Sequence, residues 1–419
     1  MTLLFSWLVS MVLSAEFVLS LSMIGLLLLA LLELRIDGPS VRLQFRAGWQ
    51  EVLARYRENP AWWVVAFPFL LVLVSLLWSE DRAYTLERLR IKLPFLVLPF
   101  AFAGMPALQR REVLTILYFL LVLMGVTSLY VLFEFFDRYE EVMADIGRGG
   151  HLPTPSNHIR YSLTVVLAIL GGVFLLIGPY RFRYRGERWL VGGLTLYLFL
   201  FLHLLSVRSG ILSFYASAAV LLAAHVLARR KYRLGLALAV LLAGIPLLAY
   251  RTIPSFRLKV DYAYWDYLQF RQGIGGGYPD AERLTSMLVG MEIGREHMWT
   301  GVGAGDLRQE VKQKYASAAW RDYSFRMPHN QLVTVFAGTG IPGLMLFLCA
   351  WFYPLLYRGL YRQPAFLAFH AVIFLSLMVE NTFENNFGVS LYLFFLLIGL
   401  NHLSEPPSVD GANSGSRRN

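Results

Sequence analysis

The sequence predicts an all-α polytopic membrane protein with about 12 transmembrane helices and one large helical loop outside them. Three observations carry this. The chain is 57% hydrophobic with 16% charged residues and a mean hydropathy of +0.52, a balance rarely met in soluble domains. Apolar stretches of roughly 17–25 residues, long enough to cross a bilayer as helices, recur along it. Within them the apolar residues run on without the strict alternation of a barrel strand. Lipid offers no partner to an open backbone group, so helices are the spanning structure that fits.

In chain order, spans are expected near 2–15, 17–34, 61–78, 93–107, 113–136, 159–178, 189–206, 210–228, 234–250, 330–357, 364–380 and 386–403. Residues 1–34 also read as one long tilted helix interrupted only by Glu16. The apolar start MTLLFSWLVSMVLSAEF lacks the basic segment of a secretory leader. Five short stretches are basic: Arg35, Arg42, Arg46, Arg55 and Arg57; Arg110 and Arg111; RFRYRGER (181–188); RRKYR (229–233); Arg358 and Arg362. All fall on one side of the alternation, which the positive-inside bias makes cytoplasmic. An even number of spans then places both termini there; a single first helix would put the N-terminus outside. The outward segments are 79–92, 137–158, the tight turn SVRSG (206–210), 251–328 and ENTFENN (380–386).

These spans divide the chain into N-terminal transmembrane helices (1–250), an outer loop domain (251–328), C-terminal transmembrane helices (329–403) and a tail (404–419). The tail, rich in small polar residues and proline, is expected to be disordered and cytoplasmic. No internal repeat is visible. The net charge is +10, mostly arginine spread over short loops; without a continuous basic patch it argues against nucleic acid as a partner. Cys349 lies alone in an apolar run, so it makes no internal disulfide and reads as a small buried hydrophobe.

The outer segment 251–328 has its own pattern. In AERLTSMLVGMEIGREHMW (281–299), Leu284, Met287, Leu288, Met291 and Met298 share a helical face, predicting an amphipathic helix resting on the membrane domain or the membrane surface. TGVGAG (300–305) breaks it, and residues 306–323 read as a second, more polar helix. YAYWDYLQF (262–270) is aromatic-rich, as at a membrane interface. GVGAG lacks the strand–turn–helix context of a nucleotide loop and reads as a tight turn.

The chemistry-bearing residues gather on the outer side. Pro328 and His329 precede a long apolar run, so His329 sits at a helix N-terminus, whose dipole disfavours imidazolium. A neutral imidazole there suits a general base; the alternative is a histidine that caps and anchors the helix. Arg208 in the tight turn, Arg160 at the start of a span and Arg283 on the loop helix are outward arginines that positive-inside bias does not explain. Guanidinium forks match phosphate oxygens, so their grouping points to a phosphate or pyrophosphate head group. Lys92 and Arg90, near the outer end of the fourth span, are placed to join it. Each of these cations also has a plainer reading, as a snorkelling or ion-paired side chain. No Asp-x-Asp or His-Glu-x-x-His occurs, and Glu292 and Glu296 are available to pair with Arg295. If the chemistry releases a pyrophosphate, arginines must neutralise it. His203 and Glu134, inside spans, read as packed polar residues.

SVRSG in a tight outer turn, a loop helix opening with Arg283, GVGAGDL, His329-Asn330 and the following AGTGIPGLMLF occur in that order. In this the chain resembles the O-antigen ligase and polymerase superfamily, by motif over its last two-thirds and by topology throughout. The resemblance implies a GT-C-type integral membrane glycosyltransferase. A ligase of this family moves O-antigen polysaccharide from undecaprenyl pyrophosphate to lipid A-core on the periplasmic face of the inner membrane. It inverts the anomeric carbon and needs no metal, nucleotide or other cofactor. On that reading His329 is the base, and Arg208 and Arg283 hold the pyrophosphate. Arg160, Lys92 and Arg90 complete the anion site, and Asn330 orients His329 or a sugar hydroxyl. The neighbouring readings are an O-antigen polymerase, or a protein O-oligosaccharyltransferase, of the same superfamily.

Overall fold

The computed structural model describes residues 1–37, 40–45, 48–178, 180–274 and 276–403; Arg46 and the expected tail lie outside them. Helices α1 (Thr2–Val12) and α2 (Glu16–Leu31) fold back on each other through Ser14, whose φ is 56°. Leu3 packs against Gly25, so residues 2–31 form a helical hairpin and not one tilted helix. At 1.5 Å per residue α1 is only about 16 Å long, roughly half the hydrocarbon thickness. Strands β1 (Leu32–Asp37) and β2 (Ser40–Phe45) pair antiparallel, Leu32 opposite Phe45, a small departure from the all-α expectation.

The expected span at 61–78 is divided. After α3 (Trp49–Glu58) come α4 (Pro60–Val64) and α5 (Phe67–Ser75). One helix, α6 (Arg82–Gly104), carries the outward segment into the next apolar stretch through Pro94 and Pro99. Then follow α7 (Arg110–Asp137), α8 (Tyr139–Gly147), α9 (His158–Ile177), α10 (Arg185–Leu205), α11 (Arg208–Arg229) and α12 (Tyr232–Thr252). The large loop folds as α13 (Pro254–Arg271), α14 (Pro279–Glu296) and α15 (Leu307–Ala316). The chain closes with α16 (Gln331–Leu356), α17 (Pro364–Val379) and α18 (Asn386–Leu403).

Among the described residues, seven helices are long and apolar enough to cross a membrane: α7, α9, α10, α11, α12, α16 with the turn after it, and α18. Helices α1, α2 and α17 are apolar but shorter. The chain is therefore a helical polytopic membrane protein. Helix α9 lies deepest, while α11 and α12 are the least enclosed. Aromatic pairs tie α6 to the turn before α18, and α16 to α18: Phe95 meets Phe383 edge-on at 5.0 Å and Trp351 stacks on Tyr392 at 4.9 Å, each worth about 0.5–1.5 kcal/mol beyond the area it buries. His203 is packed as expected, between the Phe199 carbonyl and the Tyr215 hydroxyl. Cys349 is exposed on α16 and not buried; an apolar run does not distinguish a lipid-facing position from a core one.

Helix α16 is broken at Gly340, where φ is 69°. The segment ahead of α15 fills the break: Val302 N–H donates to the Ala337 carbonyl (3.0 Å), Gly303 N–H to Gly338 (2.9 Å), and Ile341 N–H to Met298 (2.7 Å). A Cβ on Gly340 would lie 2.6 Å from the Trp299 carbonyl carbon. GVGAG is thus a tight turn pinned to a broken membrane helix.

Of the two surfaces expected for the apolar face of the loop helix, the membrane domain is not the one that Leu284 and Leu288 meet. Helix α14 buries Ala281, Thr285, Ser286, Val289, Gly290 and Ile293, while Leu284 and Leu288 are exposed at 36% and 42%. A Cβ on Gly290 would lie 2.6 Å from Val333, and Gly294 lies against Phe336. Small residues let α14 approach α16 closely, and Leu284 and Leu288 point outward while Val289 and Ile293 pack inward. The second loop helix stops at Ala316, earlier than expected. Its Leu307, Val311 and Tyr315 form a separate small core with Val289, Ile293 and Ala337.

Candidate functional site

His329 stands at the head of α16, beside α14. Asn330 is the N-cap: its side-chain oxygen accepts from Val333 N–H (3.0 Å) and its amide donates to the Met378 carbonyl (2.8 Å). The buried Asn330 amide is therefore engaged by the protein. His329 N–H donates to Ser286 Oγ at 3.1 Å, and Nδ1 lies 3.1 Å from the Met327 carbonyl. A carbonyl only accepts, so Nδ1 carries the proton and Nε2 keeps its lone pair. Burial and the nearby Arg283 and Arg326 guanidiniums push the His329 pKa down to about 4, against the bond to Met327. The imidazole is neutral near pH 7.

The arginines arrive from three elements. Ser206 takes a left-handed conformation (φ 55°) to end α10, and Arg208 opens α11 two residues later. Helix α14 starts at Pro279, with the buried Asp266 carboxylate accepting the N–H groups of Asp280 and Ala281 at 2.8 and 3.0 Å. This places Asp280 between Arg208, with which it pairs, and Arg283, whose Nη1 is 3.8 Å from it. Arg283 Nε is buried without a hydrogen-bond partner. Arg160 sits in the first turn of α9, and Gly210 keeps α11 close to that helix: a Cβ there would lie 2.6 Å from Ser162.

Residues that sequence reasoning passed over complete the group. Glu380, just past α17, has its carboxyl pushed up by burial, opposed by Arg283 and Arg160. Lys259 on α13 donates to the carbonyls of Gly149 (3.0 Å) and Gly150; burial and Arg208 bring its pKa down to about 8. His151 and His158 lie with ring centroids 3.7 Å apart and planes tilted by 31°, and burial, then Lys259, lowers the His151 pKa. Glu380 belongs to ENTFENN, an expected outward segment, and that was the available signal. Nothing in the local sequence pointed to Lys259.

Lys92 and Arg90 do not join this group as expected. Lys92 is buried and donates to both Glu384 oxygens at 2.8 Å, in a cluster with Gln331 and Arg88. Burial raises the Glu384 carboxyl, but Lys92, Gln331 and Arg88 outweigh it and hold the pKa low. Arg90 is exposed, two residues from Lys92 and so on the far side of α6. Arg88, one turn before Lys92, is the arginine that turns inward, 4.6 Å over the Tyr84 ring.

Among the described residues no three His, Cys, Asp or Glu side chains converge as metal ligands. The positive charge of this group comes from Arg160, Arg208, Lys259 and Arg283, facing Asp280 and Glu380. An anion entering there would compete with Asp280 for two guanidinium forks. A neutral imidazole lies alongside.

Fold and site together define a polytopic membrane protein with a cluster of cationic side chains beside a neutral imidazole. Residues 193–348 match the family model described as O-antigen ligase, and this match supports an O-antigen ligase superfamily assignment. The matched stretch contains Arg208, Lys259, Arg283, His329, Asn330 and the break at Gly340; Arg160, Lys92 and Arg90 precede it. No curated protein matches the chain.

Proposed function

We propose that this protein is an O-antigen ligase. It takes polysaccharide from undecaprenyl pyrophosphate and joins it to lipid A-core in the periplasmic leaflet of the inner membrane. His329 Nε2 accepts the proton of an acceptor sugar hydroxyl as that oxygen attacks the anomeric carbon. The bond from that carbon to the pyrophosphate oxygen breaks, and its electron pair leaves on undecaprenyl pyrophosphate. Arg208 and Arg283 bind that anion, with Arg160 and Lys259 adding positive field. Attack opposite the leaving group inverts the anomeric centre. No nucleotide or metal takes part. The helices belong to a GT-C arrangement of about 12 spans, with residues 251–328 on the periplasmic side and both termini in the cytoplasm.

The observation that best supports this reading is the fixed tautomer of His329. Its Nδ1 is 3.1 Å from the Met327 carbonyl and Nε2 is left basic, next to the Arg283 that would hold the leaving group. The test mixes purified protein with undecaprenyl-pyrophosphate-linked glycan and lipid A-core, with EDTA and without nucleotide, beside His329→Ala. Glycan on lipid A-core with wild type alone is the expected result. Near-normal transfer by folded His329→Ala would remove the base assignment. Longer lipid-linked chains in the absence of core would make the protein a polymerase, and glycan transferred to an added acceptor protein an oligosaccharyltransferase.

A further inference from the structure

Helices α11 and α12 form an open groove of about 1120 Å³ between them, away from the site described above. They close together beside their connecting turn, where Gly235 of α12 meets Val226. Beyond that contact they part. The walls are Ala219, Leu222 and Ala223 on one side and Ala239, Leu242 and Ala243 on the other. All six are small or apolar, and neither helix is enclosed by the rest of the protein. Tyr215 stands at the end nearer Arg208 and is fixed by a 2.7 Å hydrogen bond between its hydroxyl and the buried His203.

The groove is in phase with the anion site. At 100° per residue, Tyr215, Ala219, Leu222, Ala223 and Val226 all lie within about 60° of Arg208 around α11. The helix face that presents the guanidinium at its first residue becomes the groove wall two turns further along. From Tyr215 to Val226 that wall runs about 17 Å, more than half the hydrocarbon thickness of a bilayer. A ligand with a pyrophosphate on Arg208 and a long apolar tail would find the tail's path directly beneath its head.

We propose that the α11–α12 groove holds the polyprenyl tail of the lipid-pyrophosphate donor, so that head and tail are read by one face of one helix. This rests on the donor class proposed above. A bulk phospholipid offers Arg208 one phosphodiester charge, whereas a pyrophosphate offers two or more and a bidentate partner, so the tail that gains most from this groove is one tethered to a pyrophosphate. Small side chains suit a methyl-branched chain, because alanine and glycine leave room for the branches. Affinity then depends on tail length until the groove is full.

The test is binding of undecaprenyl pyrophosphate and farnesyl pyrophosphate to the purified full-length protein in detergent, measured by native mass spectrometry. Ala223→Phe and Ala239→Phe fill the groove from opposite walls. Each is expected to weaken undecaprenyl pyrophosphate by about tenfold or more, from the loss of a few buried methylenes, and to leave farnesyl pyrophosphate within about twofold. Arg208→Ala should weaken both. A photoreactive group on a prenyl pyrophosphate tail should label residues of α11 and α12, which checks the site without relying on the filled variants folding. Equal binding of the two ligands by wild type, unchanged binding by folded variants, or labelling elsewhere would overturn the groove assignment while leaving the donor class intact. Binding of neither ligand would overturn both. A wild-type dimer that separates when the groove is filled would assign the groove to a second copy of the chain.

Discussion

Lowering the pH tests the proposed base directly. His329 is held neutral by burial and by two guanidiniums, with a pKa near 4 against 6.5 for a free imidazole. A base must be unprotonated to act, so activity is full above the pKa and falls as the pH drops through it. At pH 5 a base of pKa about 4 is about 90% neutral, and one of pKa about 6.5 is about 3% neutral, a difference of about 30-fold in rate. The assay is the initial rate of glycan transfer to lipid A-core between pH 4 and 8, in detergent, with the fold followed by intrinsic fluorescence. The acid limb of kcat/KM, which reports the free enzyme, is expected near pH 4. A limb at 6.5 or above in a protein that stays folded would refute a buried, neutral His329 as the base.

Other outcomes follow from the same geometry. Arg208→Ala is expected to lower transfer about 10²–10³-fold, the usual loss for one anion-stabilising donor, with little change in thermal unfolding because the side chain is 43% exposed. Glu384→Ala should destabilise the protein by about 3–5 kcal/mol, because it strands a buried Lys92 charge; Lys92→Met with Glu384→Leu should recover most of that in a melting experiment. Lys259, with a pKa of about 8, loses its charge as the pH rises through that value. Donor KM should therefore climb above pH 8 in wild type and stay flat in Lys259→Met.

Much of this was legible in the chain because the signals are local. The order of the helices follows hydropathy, and His329, Arg208 and Arg283 stood out as ionisable groups where spans meet outward loops. Which of the two expected surfaces the apolar face of α14 would turn to was not legible. Apolar periodicity assumes that large side chains seek the core, but here Gly290 and Gly294 allow the close approach to α16 and Leu284 and Leu288 turn away. Arg90 is two residues from Lys92 and so falls on the other side of the helix. Arg88 and Lys92 are four residues apart and share a face, and that spacing was readable. Their partner Glu384 lies 292 residues beyond Lys92, where no local pattern reaches. Asn330 reads as a helix cap once the start of α16 is fixed at Gln331.

Arg283 joins the two halves of the site, and this gives a last expectation. Its guanidinium is the largest electrostatic cause of the low His329 pKa after burial, and its Nε is buried with nothing to bond. On the proposed mechanism a pyrophosphate bound by Arg208 and Arg283 cancels that positive field. His329 then becomes more basic only when a leaving group is in place, and the pH limb of kcat, which reports the bound enzyme, should lie above the limb of kcat/KM. Arg283→Gln removes the charge whether or not donor is present. The variant should be slow, about 10²-fold or more below wild type. Its residual activity should show a raised kcat/KM limb, closer to that of kcat. Wild-type limbs that coincide near pH 4 and do not move in Arg283→Gln would mean that burial alone sets the histidine, and that anion and base are not coupled through Arg283.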